Sequence, residues 1–239
     1  VMQDGPLPNA LHPQGGTMFH GSFMFVNKNG KRYFNEANWV QAKSIQTMKQ
    51  PGQVGYSIFD KNFGTDNKES LNYGGGMFWD TMSRSVTQEF DPAEIEATVE
   101  AEVEKGATAW KANTLEELAD KIGVDKEAFL AEVEAYNAMC EAGEDTQFEK
   151  EPVFLFPIKE APFYATKVEA VILVCVGGLK VDTDLRVLKE DGTPIKGLYA
   201  TGNTSGDLYA VDYPINMPGN SNGRCLTWGY MLGSILAGK

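Results

Sequence analysis

An α+β chain in two parts is what this sequence predicts, and three observations predict it. Helix patterns with their own start and stop signals fill the stretch from Asp91 to Gly143. Short apolar and aromatic runs of strand length lie on both sides of them. From Gly197 onward the chain closes on a strand, a loop rich in Pro, Gly and Asn, and a last helix.

Residues 1–18 are rich in Gly, Pro, Asn and Gln and read as an extended connector. Phe19 to Val26 is aromatic and apolar. With the turn Asn29-Gly30 and the run Arg32-Tyr33-Phe34 it reads as a hairpin. Residues 38–50 have helical character, and Tyr56 to Asp60 is a short strand. Residues 62–80, with Gly74-Gly75-Gly76, look like a loop.

Three helices follow. The first opens on Asp91-Pro92-Ala93-Glu94, an acidic cap with proline at the first helical position, and lines up Ile95, Val99 and Val103. Thr114-Leu115-Glu116-Glu117 is a capping box for the second, whose stripe is Leu115, Leu118 and Ile122 and whose stop is Gly123. Asp125 caps the third. Phe129, Val133, Tyr136 and Cys140 face inward and Gly143 ends it. These stripes are core packing, and the acids between them are solvated faces.

Residues 144–161 read as a Pro-containing linker. Short strands come next at 164–168, 171–176, 179–181 and 185–188, with Asp191-Gly192 as a hairpin turn. Leu198 to Thr201 suits a buried strand, which Gly202-Asn203 ends. The final helix is expected to be capped by Ser221 or Asn222. Its Gly229, Gly233 and Ala237 recur every fourth position, so another backbone can approach that face. A strand end, a glycine-rich loop and a helix N-terminus together present backbone N–H groups and a positive dipole end, which suits an anionic ligand.

Composition narrows the function. The 239 residues suffice for one large or two small domains, and the net charge is −12. Residues 88–151 carry 19 acidic and five basic side chains, so the charge is concentrated there. That argues against a nucleic-acid partner, which needs a basic face. No run of apolar residues approaches a membrane span and no signal peptide is visible, so the expectation is a soluble chain of unassigned location. Cys140, Cys175 and Cys225 are far apart and odd in number, with no zinc spacing. All three are expected to be buried or semi-buried thiols. His12 and His20 are the only histidines, so no metal site is expected.

The closing segment carries a resemblance. Gly197-Leu198-Tyr199-Ala200-Thr201-Gly202-Asn203, Gly177-Gly178-Leu179-Lys180-Val181-Asp182, and Trp228-Gly229-Tyr230-Met231-Leu232-Gly233-Ser234-Ile235-Leu236-Ala237-Gly238 resemble the C-terminal signature of one flavoprotein family. It comprises soluble fumarate reductases, succinate dehydrogenase flavoprotein subunits and 3-ketosteroid Δ1-dehydrogenases. Upstream, His12-Pro13 and Asn27 to Glu36 resemble the entry to that family's substrate-capping domain. Thr114 to Ala119 and Pro162-Phe163-Tyr164-Ala165 resemble its later cap and its return to the flavin domain.

The resemblance implies an α/β capping domain followed by the C-terminal part of a Rossmann-like FAD-binding domain. Residues 1–18 would be the connector from the flavin domain, 19–160 the cap, and 161–239 the C-terminal flavin portion. The strand–GxGxxG–helix that opens a dinucleotide fold is absent from the sequence. The expected chain is therefore a fragment. Its FAD site is incomplete, its first partner is the missing N-terminal FAD-binding segment, and alone it is inactive.

Site residues follow from the same resemblance. Gly202 and Asn203 fall where the family holds the flavin's ribose–phosphate region; the alternative for Asn203 is a plain turn asparagine. Gly219, Ser221 and Asn222 match the segment at the isoalloxazine pyrimidine edge, with a plain helix cap as alternative. A helix N-terminus there favours the anion of a reduced flavin by up to about 2 kcal/mol, roughly 40 mV for two electrons. His12 matches a substrate-facing histidine. Tyr213-Pro214 resembles the Tyr-Pro of ketosteroid dehydrogenases, whose tyrosine polarises a carbonyl, although Ile215-Asn216-Met217 replace the glycines that follow it.

The slots in which fumarate reductases place a proton-donating Arg, a substrate His and a clamping Arg fall, by spacing, on Val40, Val174 and Asn216. Arg32 and Arg224 remain, neither at a clamping position. Hydride exchange with a carbon–carbon bond also needs a proton donor or base; Tyr213 is the candidate and Tyr164 the reserve. The expected function is reduction or formation of an activated carbon–carbon double bond of a small molecule that is not a dicarboxylate. The electron partner is unassigned. The alternatives are a ketosteroid-type desaturase and, in a different class, a non-catalytic binding or scaffolding fragment.

Overall fold

The computed structural model of the chain describes residues 2–3, 23–38, 40–73, 91–170, 177–209 and 219–238. Helix and sheet are mixed throughout. The chain forms two compact units, Val1–Val171 and Ile172–Lys239.

The first unit is built on an antiparallel sheet. Its strands are β1 (Met2–Gln3), β2 (Met24–Val26), β3 (Val54–Phe59), β4 (Ala109–Ala112) and β5 (Phe163–Ala170), in the order β1-β5-β3-β2 with β4 also paired to β5. Among the described residues five helices accompany it: α1 (Val40–Met48), α2 (Phe63–Leu71), α3 (Pro92–Lys105), α4 (Leu115–Ile122) and α5 (Lys126–Ala142). Every residue of β3 is buried, so the sheet is covered on both faces at its centre.

Side-chain alternation sorts those faces. Val54, Tyr56 and Ile58 of β3 join Ala165 of β5 and meet Leu118 and Ile122 of α4 and Phe129, Val133 and Tyr136 of α5. On the other face Phe59 and Tyr164 pack with Phe63 of α2 and Ile95 and Val99 of α3. The predicted stripes of α3 to α5 are thus core residues.

The predicted caps form. Asp91 Oδ1 accepts the Ala93 N–H at 3.0 Å, Thr114 Oγ1 accepts that of Glu117 at 3.1 Å, and Asp125 Oδ1 accepts that of Ala128 at 2.9 Å. Glu117 Oε2 reaches back to the Asn113 N–H at 3.1 Å. Each such cap contributes about 1 kcal/mol. The Asn29-Gly30 turn has a packing role as well. Gly30 has φ +71°, and a Cβ there would fall 2.6 Å from both the Asp125 carbonyl and the Phe129 nitrogen. The turn therefore seats directly on the start of α5.

Three readings of the first unit change. Residues 63–71 are helix α2, not loop; residues 74–80 lie outside the described residues. The inward face of α2 is Phe63, Asn67 and Ser70, two of them polar, so no apolar period marks it. Strand β4 goes unpredicted because two alanines and a lysine, poor strand formers, make up three of its four residues. Residues 144–161 are no linker. Asp145 and Lys150 are buried there. Asn137 brackets Ile158 through its N–H and carbonyl, at 2.7 and 2.9 Å. Asp60 Oδ2 accepts the N–H groups of Lys159 and Glu160 at 3.0 and 2.9 Å. The segment is a strap fixed along its length.

In the second unit β6 (Arg186–Leu188) and β7 (Pro194–Tyr199) form a hairpin, and α6 (Asn220–Leu236) follows. Asp191 turns the hairpin by accepting the Thr193 N–H at 2.8 Å. Leu198 is 42% exposed, so the expected buried strand is not buried; only Ala200, just beyond β7, is. Residues 171–176, including Cys175, lie outside the described residues. Cys140 is half-buried, whereas Cys225 is exposed on α6, against the expectation for it. No helix among the described residues is long and apolar enough to cross a membrane.

Candidate functional site

The second unit gathers the cofactor residues that the sequence predicts. After β7 a single 3-10 turn, Gly202–Thr204, reverses the chain. Gly202 has φ +58°, and a Cβ on it would fall 2.6 Å from Cys225 Sγ, so the turn lies close against α6. Leu179 pairs in parallel with Ser205: the Leu179 N–H donates to the Thr204 carbonyl at 2.9 Å and the Gly206 N–H to the Leu179 carbonyl at 2.8 Å. Gly178 permits this, because a Cβ there would stand 2.5 Å from the Thr204 carbonyl oxygen.

Helix α6 begins beside that turn. Its N-cap is Gly219, in the left-handed region at φ +78°, with no side-chain cap. The expected cap by Ser221 or Asn222 is thereby corrected: both lie inside the first turn, and glycine alone takes the cap conformation without strain. Ser221 bonds Asn203 instead. The Asn203 amide donates to Ser221 Oγ at 2.7 Å, and that hydroxyl lies 3.0 Å from Asn203 Oδ1. Asn203, Asn222 and Gly219 are exposed. Helix geometry leaves the first N–H groups of α6 without intrahelical acceptors, at the positive end of its dipole.

Arg224 locks the arrangement, and sequence reasoning missed it. Its buried guanidinium donates through Nη2 to the Ser205 carbonyl, to Ser205 Oγ at 2.9 Å and to the Gly206 carbonyl at 3.4 Å. It also stacks on the Trp228 ring at 4.3 Å. The available signal was the i, i+4 spacing of Arg224 and Trp228, a cation over an aromatic face one helical turn on. Arg224 Nε is buried and meets no acceptor among the described residues.

In the first unit Tyr164, the reserve proton donor, donates its hydroxyl to Glu100 Oε1 at 2.7 Å, and Lys111 Nζ donates to the same oxygen at 2.6 Å. Burial and the Glu100 bond hold the phenol above its usual range. Burial opposes the charge on Glu100, but Lys111 and Tyr164 hold that carboxyl below its usual range. Arg32 is fully committed: it bonds both oxygens of Glu36 and both of Asp145, all buried. His12, Val174, Tyr213 and Asn216 lie outside the described residues, as does the side chain of Val40, which opens α1.

Comparison with known proteins identifies the family. Residues 7–222 match the FAD binding domain family. The chain is 32% identical to the NADH:acrylate oxidoreductase of Vibrio harveyi, over 92% of this chain and 20% of that protein. It is 32% identical to the vinyl phenol reductase of Lactiplantibacillus plantarum, over 84% of this chain and 40% of the relative. The crystal structure of a 3-ketosteroid Δ1-dehydrogenase from Sterolibacterium denitrificans, in complex with 1,4-androstadiene-3,17-dione, superposes with a TM-score of 0.73 at 27% identity, over all of this chain and 43% of the other. The chain thus spans between a fifth and about two fifths of the proteins it matches. It belongs to the FAD binding domain family, and the cofactor of that family is FAD.

The residues present fit part of that cofactor. The first N–H groups of α6 and the Asn203–Ser221 pair are donors of the kind that a ligand rich in phosphate and carbonyl oxygens takes, and a Cβ at Gly219 would meet nothing within 4 Å.

Proposed function

We propose that this chain is the substrate cap and C-terminal flavin-binding portion of an FAD-dependent oxidoreductase that acts on an activated carbon–carbon double bond of a non-dicarboxylate substrate. The carrying observation is the start of α6 beside the Asn203–Ser221 pair, in a chain of the FAD binding domain family. When bound, FAD supplies hydride exchange at its N5. Gly202 and Asn203 hold the ribose–phosphate region, and Gly219, Ser221 and Asn222 hold the pyrimidine edge. The α6 dipole favours negative charge at that edge.

In this reading residues 1–18 connect, 19–160 cap and 161–239 complete the flavin site. His12, Val40, Val174 and Asn216 line the substrate space, and Tyr213, with Tyr164 in reserve, moves the proton that accompanies the hydride. An N-terminal FAD-binding segment completes the protein. The side chains of Leu226 and Tyr230 are 76% and 79% exposed on α6, an apolar surface in keeping with cover by further chain.

Likeness to the ketosteroid dehydrogenase supports a second reading, the same site run as a desaturase. The experiment is turnover by the full-length protein, with reduced viologen and a conjugated alkene in one arm and a saturated ketone with an artificial acceptor in the other. The first arm is expected to proceed. Activity in the second alone selects the desaturase, and silence in both refutes an enzyme.

A further inference from the structure

Arg224 is a buried cation without a counter-charge. It is 6% exposed, and its hydrogen bonds go to neutral groups, the Ser205 and Gly206 carbonyls and Ser205 Oγ. Its guanidinium lies over the Trp228 and Tyr209 rings, at 4.3 and 5.7 Å. No carboxylate pairs with it among the described residues, although Asp207 directly follows Gly206. Buried charges are ordinarily paired, because nothing else offsets the cost of taking them out of water.

The place of Arg224 in its helix adds to that cost. It is the fifth residue of α6, near the positive end of the dipole, where a cation is disfavoured and an anion favoured. Helix α6 contains no acidic residue. The guanidinium, the dipole and the first N–H groups therefore all make the start of α6 positive. That start is open. A Cβ at Gly219 or Gly223 would meet nothing within 4 Å, and Asn222 is exposed. The charge is also near it. Ser221 and Asn222 precede Arg224 by less than one helical turn, and Ser205, which Arg224 bonds, follows Asn203 by two residues.

We propose that Arg224 is a positioning residue of the flavin site and its fixed counter-charge. It clamps the turn from Gly202 to Gly206 onto α6, and its unpaired charge acts through space on the start of the helix, favouring the negative charge that a flavin gains on reduction. This rests on the flavin reading above and adds to it the group that biases the redox poise.

Midpoint potentials of the full-length holoenzyme test it. Arg224→Gln removes the charge. It should cut the preference for reduced over oxidised FAD on the order of tenfold, the effect of a unit charge about 10 Å away at an effective dielectric near 20. For a two-electron couple that is a fall of about 30 mV. Arg224→Lys keeps the charge but loses the planar fork and the stack. Its preference should stay within about twofold of the parent's. Both variants should speed hydrogen exchange at the Ser205 and Gly206 amides, which reports the clamp. A potential that moves equally in both variants, or in neither, overturns the proposal, since a merely structural arginine behaves so. Should Arg224→Gln fail to hold FAD, Ser205→Asp supplies a counter-ion with the arginine in place. It should lower the potential by a similar factor, and an unchanged potential there overturns the proposal. A full-length protein that takes up no FAD overturns the flavin reading itself and the proposal with it.

Discussion

Arg32 and Asp145 stand 113 residues apart and meet in two parallel hydrogen bonds, Nη1 to Oδ1 at 3.1 Å and Nη2 to Oδ2 at 2.9 Å. Both side chains are fully buried. Glu36 takes the other edge of the guanidinium at 3.0 and 2.8 Å, and Lys150 Nζ approaches Glu36 at 3.5 Å. Tyr136 and Phe148 flank the guanidinium. The network joins the segment after β2, helix α5 and the strap at one point. Removing one partner of a buried pair leaves an uncompensated charge, so Arg32→Gln should lose about 3–5 kcal/mol in urea unfolding. A loss below about 1 kcal/mol would place the network among surface-type pairs.

Acid should unfold the first unit through the same cluster. Burial pushes the Asp145 carboxyl up, but Arg32 and the N–H groups of Gln147 and Phe148 win and hold it down to about 2. Glu36 is also held below its usual range: burial opposes its charge, while Lys150 and Arg32 favour it. A depressed carboxyl contributes stability that is complete above its unfolded value, 3.8 for Asp145, and that is lost as pH falls toward about 2. Urea midpoints should drop steeply across that window in the parent chain and less steeply in Asp145→Asn.

Asp66 has the opposite sign. Burial first, then Asp60 and Glu69, push its carboxyl up to about 7. The folded state binds this proton more tightly than the unfolded state, so Asp66 opposes folding progressively as pH rises from 3.8 toward about 7. Asp66→Asn should therefore raise Tm at about pH 8 and change it little at about pH 4. An equal shift at both values would assign the effect to helix propensity instead.

The strap makes a mechanical prediction. Asn35 Nδ2 donates to the carbonyls of Phe148 and Glu149, each at 3.1 Å, and Asp145, Asn137 and Asp60 fix the rest. Limited proteolysis should leave residues 144–161 intact while the parent chain is folded. In Arg32→Gln the first cuts should move into that segment.

The sequence told most where the physics is local. Asp91, Thr114 and Asp125 each bond an amide two or three residues on, so α3 to α5 could be read directly. Residues 144–161 looked like a linker because the partner of Asp145 is remote in sequence. Helix α2 escaped because Asn67 and Ser70 replace the apolar residues that would mark its inner face. At the candidate site Asn203 and Ser221 were identified as separate residues, but their bond across 18 positions was not. Nor was the role of Arg224, whose hydrogen-bond partners at Ser205 and Gly206 lie 19 and 18 positions back along the chain.

The chain alone should bind FAD weakly and purify colourless. It carries the α6 terminus and the Asn203–Ser221 pair but no GxGxxG stretch, and it spans 20–43% of the proteins compared above. One helix terminus is worth up to about 2 kcal/mol, which corresponds only to a dissociation constant in the tens of millimolar. A yellow preparation that keeps stoichiometric flavin through dialysis would refute the fragment reading.

Substrate preference turns on the arginines. A dicarboxylate taken out of water needs fixed cationic partners, because each unpaired buried charge costs several kcal/mol. The sequence holds four arginines. Arg32 is buried and bonded to Glu36 and Asp145. Arg186 is paired with Asp182 and Asp184 on the β6–β7 hairpin. Arg224 is buried under Trp228, with its Nη2 on Ser205. Arg84 lies outside the described residues. None of the three described arginines is spare for a second carboxylate, and the slots that would carry a clamp read Val40, Val174 and Asn216. The full-length protein should therefore favour a neutral conjugated alkene over fumarate by at least about a hundredfold in kcat/KM, some 2.7 kcal/mol of transition-state binding. Arg84→Gln checks the remaining arginine: the ratio should not change. Efficient fumarate reduction that collapses in Arg84→Gln would show that Arg84 is the clamp and overturn the preference.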